Sequence, residues 1–408
     1  MKSGKLLWGA AFTQGPDKAM MDYTTSDVQR KKSAEEVLFP YDIAVNSAHS
    51  DMLAKKGVLT KKENDAIQEG LAELALLFAT GKFILDQSLE DAPTNIETYL
   101  AEKYGELVGS MHAGKSRNDQ LIATSRLYAK DFLSQFSTDL GKLISSLDKA
   151  AAKYGKAKMP GFTHMQPAMP TTFGTLLGSY SDSLKRDKLL MASAKDYLDE
   201  SPMGAAAGYG TAFPVDRKAV AKGLGFSRVQ ENTIDATSSR GDYESVALFA
   251  VAHTMNHLAN LSQTLIIFSM PQFGWVKLGD AYCTGSSMMP QKKNPDALEI
   301  TKAKAVLAQS ALQSCLALSR ANFFGFNRDT QYVKTQMIDC FEECKLAPAV
   351  FCGIVDTLQV DAKKMASECS KYDLDSTTKA ELLTLKKGVP YRQAKRMVES
   401  QLKAKKKK

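Results

Sequence analysis

Between Tyr243 and Met270 the chain places Leu248, Val251, Met255, Leu258, Leu261 and Leu265 at intervals of three and four residues. That spacing holds the apolar side chains on one face of a long α-helix. Thr172–Leu198 and Ala297–Arg320 are similarly long, rich in Ala, Leu and Ser, and free of internal proline. Few segments alternate as a strand should. Helices with such wide apolar faces must bury them against each other, so an all-α bundle is expected. The apolar spacing drifts and prolines interrupt it, which argues against a continuous coiled coil. Pro160, Pro167, Pro170, Pro202 and Pro214 are expected in the loops between helices. The Gly204–Gly210 stretch should bring backbone close to substrate or to a partner chain. A chain of 408 residues has room for two or three domains. We expect an N-terminal helical domain over 1–111, a central helical bundle over 112–360 and a small remainder over 361–408.

Composition excludes several classes. No apolar run approaches the length that spans a bilayer, and the N-terminus lacks the apolar centre of a signal peptide, so a cytoplasmic protein without membrane contact is expected. The six cysteines form no pair of CxxC motifs and read as reduced, mostly buried thiols. Cys283 stands out because it lies three residues before Ser286. Of the net charge of +8, Lys403, Lys405, Lys406, Lys407 and Lys408 supply a large part. With no aromatic residues interleaved, they read as a solvated tail and not a nucleic-acid contact. His253 and His257 are four apart but lack the glutamate of a zincin motif and an evident third ligand. Helix packing is the expected role, with no metal. No dinucleotide or phosphate loop is apparent, and no cofactor is expected.

The densest chemistry lies in Gly285-Ser-Ser-Met-Met-Pro-Gln-Lys-Lys-Asn-Pro-Asp-Ala-Leu-Glu299. Gly285 and the serines can bend, and Pro290 stiffens the residues after it. Asn294-Pro295-Asp296 reads as an N-cap, a proline at the first helical position and an acid in the first turn. A mobile cationic loop anchored on a helix start suits closure over an anionic substrate.

The string resembles the signature of the fumarase/aspartase superfamily, Gly-Ser-Ser-x-x-Pro-x-Lys-x-Asn with a later Glu. His112-Ala-Gly-Lys-Ser-Arg-Asn-Asp-Gln120 and Met159-Pro-Gly-Phe-Thr-His-Met-Gln-Pro-Ala-Met-Pro170 are similar to two further blocks of its argininosuccinate lyase branch. The resemblance runs collinearly from Leu7 to about Arg392. It implies a three-domain all-α protomer with a long central bundle. It also implies a homotetramer whose active sites combine blocks from three chains. The reaction implied is elimination of fumarate from argininosuccinate to leave arginine.

In that frame Ser286 is the general base, helped by Lys292. His164 pairs with Glu299 to handle a proton. Arg117, Asn118, Thr163 and Asn294 meet the fumarate-forming end, Arg240 falls where the family places an arginine near the site, and Gln331 and Lys334 meet the arginine moiety. Lys293 is expected to face solvent or a neighbouring chain. The chain departs from the pattern at Ala11, where Arg is usual, at Pro93 for His, at Asn46 for a substrate-contacting Ser and at Phe326 for Tyr. It also stops short of the family's usual C-terminus, so a shortened third domain is expected. These departures admit two alternatives: a non-catalytic homologue of the same fold, or a lyase for another fumarate adduct such as adenylosuccinate.

Overall fold

The computed structural model describes residues 12–24 and 32–406. Five helices make its centre: Arg117–Lys153, Phe173–Tyr197, Asp242–Ser269, Asp296–Leu318 and Ala347–Thr357. The 117–153 helix packs chiefly on 173–197 and 347–357, and the 242–269 helix on 296–318 and 173–197. Leu248, Val251, Met255, Leu258, Leu261 and Leu265 are all buried in this core, as their spacing requires. Phe132 and Phe341 stack within it, their ring centroids 4.0 Å apart. A second apolar cluster gathers Phe39, Leu53, Ile67, Leu71, Ile96 and Leu100 with Val220 and Phe226. A third, of Ala380, Ala394 and Val398, joins the helices Ser376–Lys387 and Tyr391–Lys406. None of the described helices is long and apolar enough to cross a membrane.

Local chemistry sets the ends of the long helices. Ser116 starts the 117–153 helix by a reciprocal capping box with Asp119. Thr172 caps the next, its hydroxyl accepting the Thr175 N–H at 3.1 Å. Gly241 opens the 242–269 helix at φ +98°, and a Cβ there would lie 2.5 Å from Cβ of Ser319. Only glycine meets both conditions.

Among the described residues, strands are confined to four two-stranded pairings. The longest joins Lys158–Thr163 to Gln166–Thr172 as an antiparallel hairpin. Pro160, Pro167 and Pro170 therefore lie in strands, not in interhelical loops. A two-stranded ribbon has an open edge on each strand, where a missing N–H is tolerated. His164 and Met165 form the turn, both with positive φ, at 53° and 61°. That is the backbone of a two-residue primed hairpin turn, which usually employs Asn and Gly.

Arg126 ties the 117–153 helix to three other segments. Only 1% exposed, its guanidinium donates to the Glu200 carbonyl at 2.7 Å, to Gln230 Oε1 at 2.9 Å and to Ser239 Oγ at 3.2 Å. It also lies 3.4 Å from the centroid of the Tyr243 ring. Arg126→Met fills similar volume but strips three buried acceptors of their donor. We expect a loss on the order of 3 kcal/mol in urea unfolding. A loss below about 1 kcal/mol would mean that the surrounding groups find other partners.

Candidate active site

The residues singled out from the sequence fall into three groups. The first surrounds the N-terminus of the 117–153 helix. Arg117 pairs with Asp91 at 3.2 Å and Glu90 at 3.5 Å. Arg240, 7% exposed, points a guanidinium nitrogen at the Asn118 carbonyl, 3.5 Å away, and lies over the Phe326 ring at 4.8 Å. Burial lowers its pKa to about 10. Arg240, Gln331 and Lys334 line one small cavity with Glu244 and Ser125. Lys334 is paired with Glu35, whose other oxygen accepts the Ala92 N–H at 3.0 Å. Asn46 sits beneath this group, 1% exposed. Its Oδ1 accepts from Lys115 and its Nδ2 donates to the Asp42 carbonyl at 2.9 Å. Both polar ends are thus engaged inside the protein. Pro93, at a position where His is usual, is buried in the first turn of the Ala92–Tyr104 helix. Ala11 lies outside the described residues.

The second group is the loop. Thr284-Gly285 pairs antiparallel with Lys293-Asn294, closing its base. Asn294 does not cap the following helix as expected. Pro295 occupies the N-cap position, and the Asn294 amide turns back to the Gly285 carbonyl at 3.3 Å. Thr284 donates to the Asp296 carboxylate. Lys293 is exposed, as expected, and pairs with Asp280 at 2.6 Å. Inside the loop, Ser286 Oγ accepts backbone N–H bonds from Met288 at 3.2 Å and Met289 at 3.0 Å. Two donors aimed at one hydroxyl oxygen favour negative charge there. The Lys292 side chain is exposed and forms no ion pair among the described residues. Cys283 is buried, and burial pushes its thiol up to about 11, so it is not a reactive neighbour.

The third group is the hairpin tip, where Thr163 and His164 are exposed. Glu299, in the first turn of the 296–318 helix, is exposed as well. Among the described residues no hydrogen bond or ion pair joins His164 to Glu299, or links the three groups to one another. One protomer therefore presents three separately arranged parts.

Sequence reading missed the buried ionisable cluster under the first group. Gln120 Nε2 donates to Asp42 Oδ1 at 2.9 Å, and Asp42 Oδ2 has no hydrogen-bond partner among the described residues. Burial pushes Asp42 up to about 7 and Asp119 up to about 6. The same burial brings Lys115 down to about 8 and His49 down to about 4. The one local signal was Asp119, three residues after Ser116 in a capping-box pattern. Because the folded Asp42 pKa lies above its unfolded value, its stabilising contribution is complete below about pH 4 and disappears as pH rises through about 7. Asp42→Asn keeps the acceptor for Gln120 and removes the titration. Thermal melts from about pH 4 to pH 9 should show the variant gaining on the wild type as pH rises toward about 7 and holding a constant gain above it. Parallel pH profiles would show that Asp42 ionises freely.

Comparison with known proteins agrees with this architecture. EDDS lyase in complex with formate superposes with a TM-score of 0.85 at 27% identity, covering 96% of this chain and 76% of that one. A class II fumarase from Schistosoma mansoni gives 0.78 at 17% identity, covering 96% and 90%. The Brucella melitensis fumarate lyase:delta crystallin bound to cobalt gives 0.76 at 16%, covering 94% and 89%. These last two show a shared fold. A family model described as Lyase matches residues 10–309. The chain belongs to that lyase family, within the fumarase/aspartase superfamily of enzymes that release fumarate from an adduct.

Proposed function

We propose that the chain cleaves argininosuccinate to arginine and fumarate, as a cytoplasmic homotetramer with active sites shared between subunits. The observation that carries the reaction class is Ser286, whose oxygen receives two backbone amides in a loop closed at its base by Thr284 and Asn294. A serine alkoxide is a competent base only where its charge is stabilised, and those amides with Lys292 supply that. Ser286 takes the proton from the carbon beside a substrate carboxylate. The resulting carbanion spreads its charge into that carboxylate, which Thr163, Asn118 and Arg117 meet. The carbon–nitrogen bond then breaks, its electron pair leaving with the guanidinium nitrogen. His164, oriented by Glu299 of another chain, returns a proton to that nitrogen directly or through water. Asn294 holds the loop in register. Arg240, Gln331 and Lys334 line the subsite for the arginine moiety.

Assembly is supported by apolar side chains left uncovered on the central helices. Leu189, Phe249, Val306, Leu307 and Leu316 are all exposed in one protomer. Six free cysteines fit a reducing compartment.

A second reading is a lyase for a different fumarate adduct. It is favoured by the 27% identity to EDDS lyase, a variant of which binds fumarate. It is also favoured by Phe326, which offers Arg240 a ring face where a phenol would offer a hydroxyl. Fumarate release followed by ultraviolet absorbance, with argininosuccinate, adenylosuccinate and EDDS in parallel, separates the two. Release from argininosuccinate supports the first reading, and release only from another adduct replaces it. Silence with all three from a folded tetramer would indicate a non-catalytic homologue.

Ser286→Ala should lower kcat by about 10²–10⁴-fold while substrate still binds. Near-normal turnover would remove Ser286 from the role of base. Mixing Ser286→Ala with His164→Asn subunits should restore part of the activity. Continued inactivity after verified subunit exchange would place each site within one chain.

A further inference from the structure

Asp187, on the 173–197 helix, is 1% exposed, and no lysine or arginine pairs with it among the described residues. Its two oxygens face two imidazoles instead. His253 Nδ1 lies 2.8 Å from Oδ1 and His257 Nδ1 lies 2.7 Å from Oδ2. The histidines are one turn apart on the 242–269 helix, with ring centroids 4.8 Å apart and planes at 88°. The third ligand missing from the sequence pattern is thus supplied by a neighbouring helix. One ligand atom from each of the three side chains lies within 4.8 Å of the others.

A buried carboxylate is costly unless a positive charge accompanies it. Here a metal ion held by the carboxylate and its two flanking imidazoles would supply that charge. We propose that Asp187, His253 and His257 form a binding site for a divalent transition metal of the zinc type. Two imidazole nitrogens and one carboxylate oxygen suit such borderline ions, whereas magnesium and calcium prefer all-oxygen cages. Ligand bonds of about 2.0–2.2 Å require the 2.7–2.8 Å nitrogen–oxygen contacts to open and the three ligand atoms, now within 4.8 Å of one another, to converge on one point. Access is open, because His257 also lines a cleft of about 730 Å³ with Tyr180, Asp182, Asn260 and Gln263. Water from that cleft can complete the coordination sphere. The ion would pin the 173–197 helix to the 242–269 helix, and the proposal is independent of which adduct the enzyme cleaves.

Full-length protein stripped with a chelator is titrated with CoCl₂, followed by visible d–d absorption, and then with ZnCl₂. Saturation at one cobalt per chain, displaced by zinc, is expected. Binding should weaken at least about tenfold in His257→Ala and Asp187→Asn. His112→Ala, which removes a histidine paired with Glu97 at 2.8 Å and away from the cluster, should leave the stoichiometry unchanged. Absence of saturable uptake, or uptake insensitive to the first two variants, would overturn the site and leave a hydrogen-bonded helix staple. Should those variants misfold, X-ray absorption on cobalt-loaded wild type decides. Scattering from two imidazoles supports the site, and its absence rejects it.

Discussion

Asp119 accepts backbone N–H bonds from Ser116 at 2.9 Å, Gly204 at 3.0 Å and Ala206 at 2.8 Å. One buried carboxylate therefore starts the longest helix and holds the glycine-rich segment against it. The first group of site residues rests on this anchor, since Arg117 and Asn118 are the first two residues of that helix. The Gly204–Gly210 stretch, expected to approach substrate or another chain, directs two of its amides at Asp119. Three backbone donors offset much of the cost of burying a carboxylate, and burial still leaves it at about 6. On the proposed function, this anionic anchor also offsets the positive charge of Lys115 beside the site.

Ser286 is arranged on the opposite principle. Its stabilising donors come from the loop's own backbone, two and three residues downstream, so they travel with the hydroxyl when the loop moves. The loop's base is fixed by the Thr284-Gly285 pairing with Lys293-Asn294 and by the Lys293–Asp280 ion pair. Any loop closure would thereby be confined to the residues between. On the proposed mechanism this matters because the base must reach the substrate with its charge stabilisation already in place.

The long helices were legible because their apolar residues repeat at helical spacing and their caps are local. The structure begins and ends the three longest sequence-read helices within two residues of the expected positions. The hairpin was not legible. Its strands carry three prolines, and its turn uses His164 and Met165 where Asn and Gly would have announced it. The Asn294 cap was misread because Pro295 itself takes the N-cap position, a difference of one residue that redirects the amide. Asp187 lies 66 residues from His253, and Lys115 lies 69 from Asn46. Such pairings leave no periodicity to read.

Backbone strain and exposed methionines bear on how the site is completed. A non-glycine residue in the left-handed region costs about 1–2 kcal/mol, and the hairpin tip holds two in succession, His164 and Met165. Met165 is 75% exposed and Met288, beside Ser286, is 86% exposed. In an isolated protomer both tips thus combine unfavourable geometry or solvation with side chains left largely exposed. Methionine adapts readily to irregular surfaces. On the tetrameric reading, docking of these tips against other chains would bury the thioethers and offset the turn strain. The same contacts would bring His164 toward Glu299, so assembly and completion of the site would draw on the same free energy.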